Sequence, residues 1–290
     1  MSRSIYITSA EGNSGKSTVA LGLVDTLSHR VQRVGVFRPV ARSRDERDYV
    51  LDVLLAHDGV DLAYDECVGV GYDEVHADPE AALAVIVERY HAIAQRSDAV
   101  VIVGSDYTDV SSPTELSFNA RIAANLGAPV LLVIGGRESG ASGGRGLAES
   151  GARSADDMRR VAEVAVAELD HEHAQLLGII ANRADGEALD AVVAAVQTVA
   201  PAALVAAIPE DPYLIAPTVA AVMQACGGTF VRGDDELLQR EVLGAVVAGM
   251  SMENVLPRLT EGAVVLIPGD RSEVLLAVLM AHASETFPSL

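Results

Sequence analysis

Tryptophan is absent from this 290-residue sequence, aromatic residues make up only 4% of it, and it holds just two cysteines, Cys67 and Cys226. So few aromatics leave no base-stacking surface of the kind that grips single-stranded nucleic acid. Two cysteines far apart, with no partner motif, make neither a disulfide framework nor a zinc site. They read as reduced core thiols of a cytoplasmic protein. Long apolar runs are missing too: none approaches the roughly 18–20 residues of a spanning helix. The opening MSRSIYITSAEG reads as a strand, not a signal peptide. Positive charge is in deficit, 21 basic residues against 41 acidic, for a formal net charge of −20. That field repels nucleic-acid phosphates and anionic membranes, so neither is an expected partner, and any bound phosphate must be held by local geometry. Lysine is scarcest of all. Twenty of the 21 basic residues are Arg, and Lys16 is the sole exception.

Half of the residues are hydrophobic, enough for aliphatic cores in one large or two modest domains. Short apolar, β-branched runs at 5–8, 33–37, 99–103, 129–134, 177–181 and 203–208 predict buried strands. Helix-like segments at 16–29, 48–57, 79–96, 115–126, 156–169 and 187–199 alternate with them. This alternation predicts an α/β fold: a mostly parallel sheet with helices on both faces, in the nucleotide-binding class. Residues 135–154 break the pattern. Rich in Gly and Ser, without hydrophobic period, they read as a flexible surface insertion. A boundary near Cys226-Gly227-Gly228 divides a first domain, 1–225, from a smaller unit, 226–290. For the latter we expect a short strand, a helix at 235–248, a helical turn near 251–259, a strand at 263–267 and a final helix at 271–284. It reads as a truncated α/β domain.

The strongest signal is Ser9-Ala10-Glu11-Gly12-Asn13-Ser14-Gly15-Lys16-Ser17-Thr18, between the first strand and the first helix. It fits the phosphate-loop pattern with Ala10 in place of the first Gly. Gly12 and Gly15 let the backbone curl so that successive N–H groups, those of Asn13 and Ser14 included, face phosphate oxygens at a helix N-terminus. Lys16 is then placed for the β- and γ-phosphates, Ser17 for Mg²⁺, and Thr18 for the α-phosphate. The expected cofactor is ATP or another nucleotide with Mg²⁺. Acids near other strand ends complete such metal sites, and Asp48 and Asp106 are the candidates, each reading equally as a helix cap or a solvated loop acid. Arg38 leaves the second strand at its C-terminal end, where ligands bind in open α/β sheets. Asn182 and Arg183 end a strand, where an Asn amide suits a purine and Pro209 is placed to wall the base; the other reading makes them strand-end turn residues. His171-Glu172-His173 lacks further ligands at zinc spacing and reads as solvated surface. No nucleophile elbow or Cys–His pair is present, so no catalytic residue is assigned.

These residues carry a resemblance. The phosphate loop, Val34-Gly35-Val36-Phe37-Arg38-Pro39, residues 178–183 and Ile208-Pro209-Glu210-Asp211-Pro212 resemble dethiobiotin synthetase. More closely, the chain resembles the dethiobiotin-synthetase-like N-terminal region of long bacterial phosphate acetyltransferases. Val103-Gly104-Ser105-Asp106-Tyr107-Thr108-Asp109, Pro113-Thr114-Glu115-Leu116-Ser117 and Ala216-Pro217-Thr218-Val219 look like actinobacterial members. Pro268-Gly269-Asp270-Arg271, within 262–276, resembles the start of a DRTGG domain. Two positions depart from dethiobiotin synthetase: Gly104 stands where it has a metal-binding Glu, and Arg38 where it has a substrate-contacting Lys. Glu11 stands where partition-type ATPases carry a second lysine. The resemblance implies a nucleotide-binding, regulatory N-terminal portion of a phosphate acetyltransferase, with the acetyl-transfer domain absent from this chain. Its implied partners are a nucleotide or small-metabolite effector, the C-terminal acetyltransferase domain of the parent chain, and further copies in a homo-oligomer. The alternatives are a stand-alone ATP-dependent synthetase of the dethiobiotin synthetase type, and a phosphate-loop scaffold without ligand.

Overall fold

The computed structural model describes residues 3–44, 46–105, 114–137, 151–284 and 287. The chain runs β1 (Arg3–Ser9), α1 (Lys16–Ser28), β2 (Val34–Ala41), α2 (Tyr49–Leu55), α3 (Tyr64–Cys67), β3 (Val68–Gly71), α4 (Tyr72–Ala77), α5 (Pro79–Ala94) and β4 (Ala99–Val103). It continues through α6 (Thr114–Leu126), β5 (Val130–Gly135), α7 (Ala155–His171), β6 (Leu176–Ala184), α8 (Leu189–Gln197) and β7 (Leu204–Pro209). Next come α9 (Pro212–Ile215), α10 (Val219–Ala225), β8 (Gly244–Val247), α11 (Met252–Val255), β9 (Ala263–Leu266) and α12 (Ser272–His282). Two compact units result, and the second holds Asp211–Leu290.

In the first unit seven strands form one sheet in the order β3-β2-β4-β1-β5-β6-β7. Every pairing is parallel. Helices cover a parallel sheet on both faces, so its central strands are apolar on both sides. β2, β4 and nearly all of β5 are buried accordingly. β7, at one edge, leaves Leu204 and Ile208 exposed. Side chains start the helices where the sequence changes period. Asp48 caps α2, Asp78 caps α5 with Pro79 at its first turn, and Ser154 caps α7. Each satisfies N–H groups that have no partner within the helix.

The second unit is smaller. β8 and β9 pair in parallel, Gly244 with Ala263 through Val247 with Leu266, over a core of Val246, Ala248, Val255, Leu259, Ala263, Val274, Val278 and Ala281. Here the structure corrects the sequence reading. The helix expected at 235–248 is a short 3-10 turn, Asp235–Gln239, followed by β8. The apolar run of 245–248 imitates a helical stripe. Yet Val246 and Val247 are β-branched and favour the pleated strand, and Gly244 and Gly249 bound the run. The strand expected just after Gly228 does not form, and Phe230 and Val231 are exposed there. Cys67 is buried as expected, whereas Cys226, also expected in the core, is exposed at the end of α10.

Candidate functional site

β1 ends at Ser9 and α1 begins at Lys16, so residues 10–15 turn between them. Asn13 (φ 58°) and Gly15 (φ 78°) are both left-handed. Alternating backbone hands direct neighbouring N–H groups into one concavity that suits an anion. Asn tolerates this region better than most residues, but at Gly15 space also decides: a Cβ there would lie 2.2 Å from Asn182 Nδ2. Among the described residues, the amides of Gly12, Asn13, Ser14 and Gly15 donate no hydrogen bond. Ser14 is buried with its hydroxyl unpartnered. Of these residues only Ser14 is buried, and a buried donor left unsatisfied costs about 1–3 kcal/mol, so its hydroxyl is one the turn can give to a ligand. The positive end of α1 adds to the same preference for anions. Phosphate oxygens therefore fit the residues present. Ser17 is half-buried and Thr18 exposed in the first turn of α1.

Lys16, only 1% exposed, points across to the end of β4, where its Nζ donates to the Gly104 carbonyl at 2.5 Å. Arg38, at the C-terminal half of β2, reaches the same oxygen. Its Nη1 donates to Gly104 O at 2.5 Å and to Val103 O at 3.2 Å. Its Nε donates to Asp48 Oδ2 at 2.9 Å, with both side chains buried. The other Asp48 oxygen accepts from Leu51 N as the cap of α2. Asp48, a candidate metal ligand, is thus held by an arginine and a helix start. Asp106, the other candidate, lies outside the described residues.

The Gly104 departure has a packing cause. A Cβ at 104 would stand 2.4 Å from Asn119 Oδ1 and 2.9 Å from Tyr6 Cε1. Asn119 is itself fixed, accepting from Tyr6 OH at 2.7 Å and from Ser105 N at 3.1 Å. Burial raises the Tyr6 phenol above its ordinary pKa, so it stays a donor. The end of β4 therefore offers a backbone carbonyl where the resemblance places a carboxylate.

Asn182 and Arg183, at the end of β6, hold the phosphate loop through its backbone carbonyls. Asn182 Nδ2 donates to Ser14 O at 2.9 Å and Arg183 Nη1 to Asn13 O at 3.0 Å. Arg183 also binds Glu210, which takes Arg137 as well. Pro209 pairs with Ala184 at the exposed end of β7. The structure thus brings 12–18, 182, 183 and Asp48 to one end of the sheet.

Sequence reasoning missed Glu11 and Arg153 as a pair. Arg153 is bidentate to Glu11, with Nη2 to Oε2 at 2.8 Å, and its Nη1 also donates to Gly135 O at 2.9 Å. These partners are 142 positions apart, and no local pattern could have joined them. Beside the strand ends lies a cavity of about 450 Å³ lined by Val40, Tyr72, Ser105, Glu115, Phe118 and Arg121, among others. Glu168, His171 and Glu172 also bring ligand atoms within 4.8 Å of one another, with His171 exposed. A surface cluster of that kind is not by itself a site.

Comparison with known proteins adds to this geometry. Residues 3–218 match the family described as an AAA domain, and residues 221–286 the family described as a DRTGG domain. The phosphate acetyltransferase of Nitratidesulfovibrio vulgaris is 28% identical over 303 residues, covering 100% of this chain and 41% of that protein. The phosphate acetyltransferase of Synechocystis sp. is 27% identical over 301 residues, again covering 100% and 41%. The chain thus spans about two fifths of the length of these curated relatives. Among solved structures, the septum site-determining protein MinD of Pyrococcus horikoshii OT3, complexed with Mg-ADP, is 21% identical with a TM-score of 0.41, covering 73% of this chain and 83% of that one. The MinD cell division protein of Aquifex aeolicus is 17% identical with a TM-score of 0.45, covering 74% and 85%.

Proposed function

This chain belongs to the AAA domain family, and from that premise we propose that it is the nucleotide-binding, regulatory N-terminal portion of a phosphate acetyltransferase. The parent reaction interconverts acetyl-CoA plus phosphate with acetyl phosphate plus CoA, and the acetyl-transfer chemistry is assigned to a C-terminal domain beyond these residues. The observation that carries the reading is the phosphate loop itself: a left-handed turn of undonated N–H groups leading into Lys16 at a helix start. In this proposal the amides of 12–15 and the first turn of α1 hold phosphate oxygens, and Lys16 meets the outermost ones. Ser17, with Asp48 and Asp106, is assigned to Mg²⁺, which supplies charge neutralisation on the phosphates when bound. Thr18 stands at the α-phosphate, and Asn182, Arg183 and Pro209 flank the rest of the nucleotide.

A small-metabolite effector is proposed for the cavity beside Ser105, whose volume falls in the range of ligand sites. Its lining residue Ser105 is next in sequence to Gly104, whose carbonyl Lys16 holds. The division into a phosphate-loop domain and part of a DRTGG domain, with the boundary near 225, belongs to the same reading. So do a cytoplasmic location and self-association, the latter supported by exposed Leu276, Leu279 and Met280 on α12. No helix among the described residues is long and apolar enough to cross a membrane.

Calorimetric titration with Mg·ATP, Mg·ADP and acetyl-CoA, on the wild-type chain and on Lys16→Ala, tests the reading. The expected result is nucleotide binding that Lys16→Ala abolishes, with no turnover. Carboxylate-dependent phosphate release would put a synthetase in its place, and absence of binding in both proteins would leave a scaffold. Acetyl phosphate made by this chain alone would refute the division of labour.

A further inference from the structure

The phosphate loop is held in its strained shape by partners that come from far along the chain. Asn13 is a non-glycine residue at φ 58°, and Arg183, which grips its carbonyl, is another at φ 59°. Such conformations persist only where the surroundings over-determine them. Here the surroundings are a set of charge-assisted bonds. Glu11, inside the loop, accepts both terminal nitrogens of Arg153. The same carboxylate accepts Gly135 N at 3.2 Å, while Arg153 donates to Gly135 O. The pair therefore clips the loop to the end of β5. Both side chains are largely buried, 21% exposed for Glu11 and 13% for Arg153.

Charge alone makes this arrangement unexpected. A carboxylate in a phosphate-binding turn repels the ligand that the turn is built for. A bidentate arginine neutralises it and fixes its direction. We propose that Glu11 and Arg153 act as one unit, a clip that pre-organises the phosphate loop for its anion, so that both are positioning residues for nucleotide binding. The proposal rests on the nucleotide reading above and adds residues that the phosphate-loop motif does not contain. Arg153 stands beside a neck of described residues, where Arg137 pairs with Ala152 and Arg153 N donates to Gly136 O. The clip thus joins that neck to the nucleotide loop.

The sign of one substitution separates positioning from simple electrostatics. Glu11→Gln keeps the shape and removes a negative charge near the phosphates. If charge were all that mattered, Mg·ATP would bind more tightly. A broken clip instead weakens it by about tenfold, the scale of one lost charge-assisted hydrogen bond. Arg153→Gln is expected to weaken binding similarly. Because the two act together, the double variant should bind about as weakly as either single one, not about a hundredfold more weakly. Calorimetry with Mg·ATP measures the three variants, with thermal unfolding as the folding control. Tighter binding by Glu11→Gln, unchanged affinity in either single variant, or additive losses would each overturn the clip. A readout without nucleotide keeps this apart from failure of the nucleotide reading itself. NMR order parameters of the Gly12–Gly15 amides should fall from a rigid value near ~0.85 toward about 0.6 in each single variant. Unchanged order parameters overturn the clip even if the wild-type chain binds no nucleotide.

Discussion

At Gly104 a methyl group would sit 2.4 Å from Asn119 Oδ1 and 2.9 Å from a ring carbon of Tyr6, and neither neighbour can give way cheaply, because they hold each other at 2.7 Å. Gly104→Ala should therefore cost about 1–3 kcal/mol of stability, as overpacking of a fixed interior does, read as a shift in the urea midpoint. Gly104→Glu restores the acid that dethiobiotin synthetase carries there. It should destabilise further and leave Mg²⁺ affinity, measured by titration calorimetry, no higher than in the wild type. The two cysteines differ in the same physical way. Burial, followed by the nearby Glu66 charge, pushes the Cys67 thiol up to about 12, against an ordinary 9.0. Since thiolate is the reactive form, a maleimide should label only exposed Cys226 in the native chain. The folded state keeps a proton that the unfolded chain releases, so this contribution to stability is complete below pH 9.0 and is lost as pH rises toward about 12. In Cys67→Ala that part of the alkaline decline should vanish from denaturation curves.

Single elements are tied to the sheet by side chains of this kind. Arg38 and Asp48 join the end of β2 to the start of α2, and both are buried. Removing one partner of a buried pair typically costs about 3–5 kcal/mol, and losing a cap adds about 1 kcal/mol. Asp48→Ala should thus lower the thermal midpoint sharply. Asp48→Asn, which keeps an acceptor for Leu51 N, should fall between the two proteins. The elements most legible in the sequence were the six long parallel strands, because a strand buried on both faces must be a continuous apolar run. β3 escaped notice, since Val68-Gly69-Val70-Gly71 is short and half glycine. β8 was misread because a four-residue strand next to polar residues has no period long enough to separate it from a helix. In the site, 12–18 were legible as a contiguous motif. The Arg153–Glu11 clip and the Asn119 barrier at Gly104 were not, because long-range pairings leave no trace in local spacing.

On the scale of the molecule, the two units differ greatly in how much core they own. The first unit's sheet is completed by β7 and needs no strand from beyond Pro209. Among the described residues, the core of the second is a cluster of eight buried apolar side chains around two strands, and small cores are marginal. A chain of residues 1–217 should therefore remain folded, with a cooperative thermal transition. Residues 211–290 alone should melt at lower temperature or fail to give a transition in calorimetry.

The bridge between Arg137 and Ala152 has a consequence for how this chain can change length. Those two residues, apart in the sequence, meet in one antiparallel bridge. Residues added between them lengthen the segment that the bridge closes, and closure entropy costs about 0.6 kcal/mol for each doubling. That makes the neck a natural port for grafting: a fluorescent protein or a foreign binding module placed there leaves the strand order intact. Its root would be Arg153, so the graft would be wired through one arginine to the phosphate loop.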